Sequence, residues 1–244
     1  MRRELKIILG TVAVAGLWTA GGRVVDAASD LETFRITDVE ITGLEILERG
    51  EILGMLALDD PSSIWSEMEV FEERLARHPL LKEVRVRRKI PGTLLVDVKE
   101  RRAVALAPTP TLEPVDADGI LLPLDPSEGR MDLPVLATRG LPAPGARLLP
   151  ARDRVLAAEA ARLMGADTSF LQMVSEVGWG DDRNTLVARW SRPDVDLLFT
   201  PGSAPQRLRE GLVVLADALG RDPEHVPTVI DLRYADQVLV RRNP

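Results

Sequence analysis

Catalysis needs nucleophiles, titratable groups or metal ligands that can converge, and this chain of 244 residues is short of all three. It has no cysteine, which removes thiol nucleophiles, disulfides and thiolate metal sites. Its two histidines, His78 and His225, stand far apart in sequence, which argues against a multi-histidine centre. Ser203 lies in the run PGSAP, unlike the strand-to-helix elbow of a serine hydrolase, and is better used as a helix cap. Gly21-Gly22 is followed by Arg23 and makes no phosphate-binding loop. Asp116, Asp118 and Asp125 lack calcium-loop spacing and its closing glutamate, so they read as turn residues, as does the pair Asp181-Asp182. The sequence therefore predicts no catalytic residue, no metal, no cofactor and no small-molecule substrate. A net charge of −7 argues against nucleic acid as a partner.

Surfaces for other proteins remain. Arg85, Arg87, Arg88 and Lys89, with Arg101 and Arg102, form a basic run. It could meet an acidic partner or anionic lipid headgroups, or be the solvated face of a hairpin. The chain also closes on two strand candidates, Val226–Leu232 and Val238–Arg242. A terminal strand can leave an edge that accepts a partner's strand through main-chain hydrogen bonds, unless the protein covers that edge itself.

The elements that would position these surfaces are readable from periodicity. At 45% hydrophobic and 28% charged, the chain has the composition of a folded protein. FRITDVEITG reads as a strand whose period of two slips between Ile36 and Val39, as at a bulge or bend. Ile52, Leu53 and Leu56 share one helical face, as do Met68, Phe71 and Leu75, and the second helix ends before His78-Pro79, where His78 is placed as a C-terminal cap. Val84 and Val86, then Leu94, Val96 and Val98, alternate with other residues around Pro91-Gly92 and predict a hairpin. The order strand, helix, helix, strand, strand over 34–101 gives two helices on one face of a small sheet.

Residues 102–242 read as a second, strand-rich unit with two helices. VDADGILLPL turns at Asp118-Gly119. One helix is expected over Ala151–Met164, closed by Gly165. Strands are expected over Leu171–Val177, Leu186–Trp190 and Val195–Phe199. Ser203 and Gln206 match a capping box for a helix with the stripe Leu208, Leu212, Leu215 and Leu219, with Gly220 just past its end.

At the N-terminus, Arg2, Arg3 and Lys6 precede an uncharged run from Ile7 to Gly22. Extended to Val25, the run spans about 28 Å as a helix at about 1.5 Å per residue, against a hydrocarbon core of about 30 Å. A membrane anchor and a cleaved signal peptide both fit, and either places the bulk of the chain outside the cytoplasm.

Several of these stretches are together familiar. FRITDVEITG, followed by RHPLLKEVRVRRKIPGTLLVDVKERRAVAL, resembles the POTRA domain of the FtsQ/DivIB family of bacterial cell-division proteins. VDADGILLPL, LPVL at Leu133–Leu136 and IDLRY at Ile230–Tyr234 match further stretches of that family in order. The resemblance implies an α+β, single-pass inner-membrane protein with its N-terminus in the cytoplasm. It would comprise a tail at 1–6, a transmembrane helix at 7–25, a POTRA domain at 34–101 and a β-domain at 102–242. It favours the anchor over the signal peptide.

The resemblance further implies a non-catalytic scaffold that gathers FtsB/DivIC-type and FtsL-type proteins and other divisome components at the septum. The partner strand would add to the last strand, with Arg233, Tyr234, Val238, Val240 and Arg242 as the contact, and Arg85, Arg87 and Arg88 as a recruitment contact on the POTRA domain. Two departures stand out: Asp236-Gln237 replaces the glycine-containing turn of many members, and Arg242 replaces an aromatic residue. A POTRA-type chaperone or secretion component of the envelope is the alternative. It would be marked by a C-terminal barrel or tandem POTRA units, and neither is visible in this sequence.

Overall fold

The computed structural model describes residues 35–58, 63–127, 131–138, 140, 145–166, 173–182, 184–203, 205–223 and 225–242. The expected membrane span at 7–25 and Phe34 lie outside these residues. Among the described residues no helix is long and apolar enough to cross a membrane. The chain divides after Glu100 into two compact units.

The first unit runs β1 (Asp38–Thr42), α1 (Arg49–Leu56), α2 (Met68–Ala76), β2 (Leu81–Lys89) and β3 (Thr93–Glu100). Its sheet has the order β1-β3-β2, with β1 parallel and β2 antiparallel to the central β3. The slip between Ile36 and Val39 marks where β1 begins rather than a bulge within it, since Arg35 makes only an isolated bridge to Ser63. Alternation then sends Val39, Val86, Leu94, Val96 and Val98 into a core with Ile52, Leu56, Phe71 and Leu75. His78 closes the second helix through its backbone, its N–H donating to the Leu75 carbonyl at 2.9 Å, while its ring Nδ1 accepts from the Leu80 N–H at 3.4 Å.

A left-handed turn at Gly43 (φ 88°) leads out of β1, and a Cβ there would stand 1.9 Å from the Val98 carbonyl oxygen. Both the dihedral and the contact exclude a side chain. Gly43→Ala is therefore expected to destabilise this unit by at least about 2 kcal/mol, read as a lower denaturant midpoint. An unchanged midpoint contradicts this close approach.

The second unit contains β4 (Ala103–Pro108), β5 (Leu112–Asp116), β6 (Val135–Ala137), α3 (Ala151–Ala166), β7 (Val174–Trp179), β8 (Leu186–Ser191), β9 (Asp194–Phe199), α4 (Pro205–Arg221), β10 (Pro227–Asp231) and β11 (Leu239–Arg242). One eight-stranded sheet has the order β11-β10-β9-β8-β7-β6-β4-β5. Because β6 is parallel to β7 and β9 to β10, α3 and α4 are the crossovers of two strand–helix–strand units. The helices touch each other, so they share a face of the sheet, over a core that includes Leu136, Leu156, Val177, Leu197, Phe199 and Leu215.

Several expected ends shift. Gly165 and Gly220 are inside α3 and α4, which run on to Ala166 and Arg221; neither glycine has the left-handed dihedral of a cap. Ser203 does not cap α4: its hydroxyl donates to the Thr200 carbonyl at 2.7 Å, and the helix opens with Pro205, whose fixed φ suits a first turn. The strand expected from Leu171 begins at Val174. AVALAP, not expected as a strand, forms β4 because it is buried on both faces and so lacks alternation.

Candidate functional site

The two edges of the large sheet differ. At the β5 edge, the chain returns after Gly119: Ile120 O accepts from the Asp116 N–H at 3.0 Å and Pro114 O from the Leu122 N–H at 2.8 Å. That edge is partly covered and carries Pro114 within the strand, both common ways of blunting an edge. At the other end, β11 pairs antiparallel with β10 through Ile230↔Val240 and Asp231↔Leu239, and among the described residues no strand lies beyond it. Every second residue of β11 directs its N–H and C=O away from β10.

All four β11 side chains are exposed, Leu239 at 36% and Val240 at 38%. Val240 and Arg242 thus stand on the outer strand, while Arg242 lies 3.7 Å from Asp222. Val238 differs: it precedes the strand, is half-buried and packs against the core, so it serves as the strand's anchor rather than as contact surface. Tyr234 is 43% exposed in the connection between β10 and β11.

Arg233 turns inward. Its Nε and Nη2 reach the two carboxylate oxygens of Asp231 at 2.8 and 2.6 Å, and its Nη1 reaches Thr185 Oγ1 at 3.2 Å and Asp182 Oδ2 at 3.4 Å. Asp231 is fully buried and also lies 3.4 Å from Arg241. The Arg233 hydrogen bonds hold the Asp231 carboxyl below its usual range, and that carboxylate in turn raises the guanidinium. Asp182 is more than a solvated turn residue, since it accepts from Thr185 Oγ1 at 2.7 Å and from the Asn184 N–H at 2.8 Å, and the Thr185 bond lowers its pKa most. Asp182, Asn184, Thr185, Thr200, Arg233 and Tyr234 together line a cleft of about 380 Å³.

Two helix features fix this corner. Gly211 of α4 lets the helix approach β10 closely, as a Cβ there would meet Leu232 Cδ1 at 2.9 Å and Leu197 Cδ1 at 3.2 Å. Arg207 of the same helix reaches the connection after β10, donating to Leu232 O at 3.5 Å, Tyr234 O at 2.5 Å and Gln237 O. Asp231 and Arg207 were not foreseen. The first stood within IDLRY and could have been noted as the acid beside its arginine; the second acts on backbone carbonyls, which leave no mark in sequence.

On the first unit, Arg85, Arg87 and Arg88 are exposed on β2, a sheet edge. They are not equivalent. Arg87 is paired with Asp97 on β3, and neighbouring Lys89 with Glu40 at 2.5 Å, so the open face is largely self-neutralised. Arg88 turns to the Ser66 carbonyl at 3.1 Å, and Arg85 stands opposite Asp97 in the β-ladder. Glu72 of α2 accepts from the Val86 N–H at 2.8 Å, occupying one outward group of this edge. Among the described residues no cluster of three or more histidines or carboxylates could hold a metal.

Comparison with known proteins adds the biological frame. A domain model described as "POTRA domain, FtsQ-type" matches residues 34–101. The cell division protein FtsQ of Rhodothermus marinus is 28% identical over 243 residues, 96% of this chain and 83% of that protein. FtsQ proteins of Geobacter sp. (strain M21) and Myxococcus fulvus are 29% and 31% identical over 128 and 137 residues. Those two matches take in 52% and 55% of this chain and about half, 47% and 48%, of the relatives. The domain and the relatives together support the FtsQ/DivIB family and a cell-division protein.

Proposed function

We propose, from a chain that carries an FtsQ-type POTRA domain and resembles an FtsQ protein over 96% of its length, that it is a non-catalytic scaffold of the division septum. Residues 7–25 anchor it in the inner membrane with the bulk outside the cytoplasm. Its output is recruitment: the sheet edge at β11 takes a strand from an FtsB/DivIC-type protein, itself joined to an FtsL-type protein. The observation that carries this reading is the asymmetry of the large sheet, whose β5 edge is partly covered while β11 has no strand beyond it among the described residues. Strand addition uses main-chain hydrogen bonds for affinity and side chains for selection.

Each of the proposed contact residues then has its own part. Tyr234, Leu239 and Val240 give the apolar surface, and Arg241 and Arg242 favour acidic residues on the incoming strand. Arg233 supports the contact from within through Asp231, and Val238 seats the strand. On the POTRA domain, Arg85 is the residue of the basic run most available to a second partner, since Arg87 and Arg88 have partners within the unit.

A photo-crosslinking side chain placed at Val240 in dividing cells tests the reading. It is expected to trap a small division protein of the FtsB/DivIC type, whereas the same group at Leu112 on the β5 edge is expected to trap none. Crosslinks from Leu112 and none from Val240 would reverse the assignment of the edge.

A further inference from the structure

The strand proposed to receive the partner has little of its own to hold it. All four side chains of β11 are exposed, and the half-buried Val238 before it is its only seat in the core among residues 234–242. Nor does the connection from β10 supply a tight turn. It runs through Leu232–Val238 with Asp236-Gln237 at its far end, and neither residue is a glycine that would reverse the chain at low strain. Unconstrained, such a connection would let the edge strand fray.

One side chain from another element meets this segment on both sides of its bend. The Arg207 guanidinium, on the first turn of α4, takes the carbonyls of Leu232, Tyr234 and Gln237, which lie 25, 27 and 30 residues further along the chain. Glu210 on the same helix accepts from Arg207 Nη1 at 2.6 Å and fixes the plane of the guanidinium. The Arg207 side chain is only 14% exposed, so its guanidinium is held in place even though the Tyr234 and Gln237 carbonyls belong to exposed residues. A planar fork with five donors can serve three carbonyls at once; an ammonium is a single point of charge.

We propose that Arg207 is the positioning residue of the terminal edge, holding residues 232–237 from outside in place of a turn sequence, so that Tyr234 and β11 present one geometry to an incoming strand. The second half of this statement rests on the scaffold reading; the first half does not. Holding the acceptor strand in its bound form raises affinity by removing an ordering step from binding.

Amide hydrogen exchange on the full chain in detergent, with Arg207→Ala and Arg207→Lys, separates the two halves. Arg207→Ala is expected to speed exchange of residues 234–242 about tenfold while the amides of β8 and β9 keep their rates. Affinity for the extracytoplasmic segment of the same organism's FtsB/DivIC-type protein is expected to fall about tenfold in parallel. Arg207→Lys, which keeps the charge but not the fork, is expected to restore less than half of the lost protection. Unchanged exchange in Arg207→Ala overturns the proposal, and so does full rescue by lysine, which would reduce Arg207 to a charge. Faster exchange with undiminished affinity overturns its functional half. If the parent chain binds no such segment, the scaffold reading fails, while the exchange rates still decide whether Arg207 holds the strand.

Discussion

Tyr234→Glu is expected to lower affinity for the partner strand about 100-fold, close to 2.7 kcal/mol, while leaving the fold intact. The magnitude follows from placing a carboxylate in a contact that must be desolvated, at a residue type enriched among interface hot spots. The fold should survive because Tyr234 is 43% exposed and the bond it accepts from Arg207 of α4 is to its backbone oxygen, which the substitution keeps. Titration of full-length parent and variant against the partner's extracytoplasmic segment checks the first half, and thermal unfolding of both checks the second. Equal affinities would remove Tyr234 from the contact.

Asp231→Ala should have the largest effect on stability. The carboxylate is fully buried between two strands, joined to Arg233 through both oxygens and close to Arg241 of β11. Removing one member of a buried pair costs about 3–5 kcal/mol, because the other charge is left unpaired. The Arg233 side chain is 27% exposed and can turn partly to water, which places the expected loss near 3 kcal/mol, the lower end of that range.

The pH dependence follows from the same pair. The Asp231 pKa is lowered on folding, chiefly by Arg233, so its contribution is fully present above the ordinary value of 3.8 and is lost as pH falls through the lower folded value. Parent minus variant stability should therefore be flat from neutral pH down to about 4 and shrink only in stronger acid. A difference that shrinks already between pH 7 and 5 would contradict the assignment to Asp231.

Much of this architecture could be read from residue order, and the parts that could not have physical reasons. Val84, Val86, Leu94, Val96 and Val98 alternate around Pro91-Gly92, and one face of that hairpin is buried, so period and packing agree. The stripe Leu208, Leu212, Leu215 and Leu219 located α4 for the same reason. Helix ends were misread at Gly165 and Gly220, because glycine can also occupy ordinary helical dihedrals and composition does not say which it adopts. β4 was hidden by burial on both faces, and β6 by having only three residues.

At the proposed site, the side chains of IDLRY face different ways, which the sequence pattern does not distinguish. Its arginine, singled out as a contact, is committed inward to Asp231, and its tyrosine is the exposed member. The contribution of Arg207 depends on carbonyls brought near by the β9–α4–β10 crossover, a relation that exists only after folding. The basic run on β2 illustrates the converse: a charge pattern prominent in sequence is largely neutralised by Asp97 on the adjacent β3 and Glu40 on β1 beyond it.

The central claim, strand addition at β11, is tested most directly by amide exchange of the full chain with and without the extracytoplasmic segment of the FtsB/DivIC-type protein. A strand laid against β11 must engage the main-chain groups that now face away from β10, so exchange within residues 239–242 is predicted to slow on binding while the amides of β5 keep their rates. Binding that protects the POTRA unit or the β5 edge and leaves residues 239–242 exchanging as before would contradict the account.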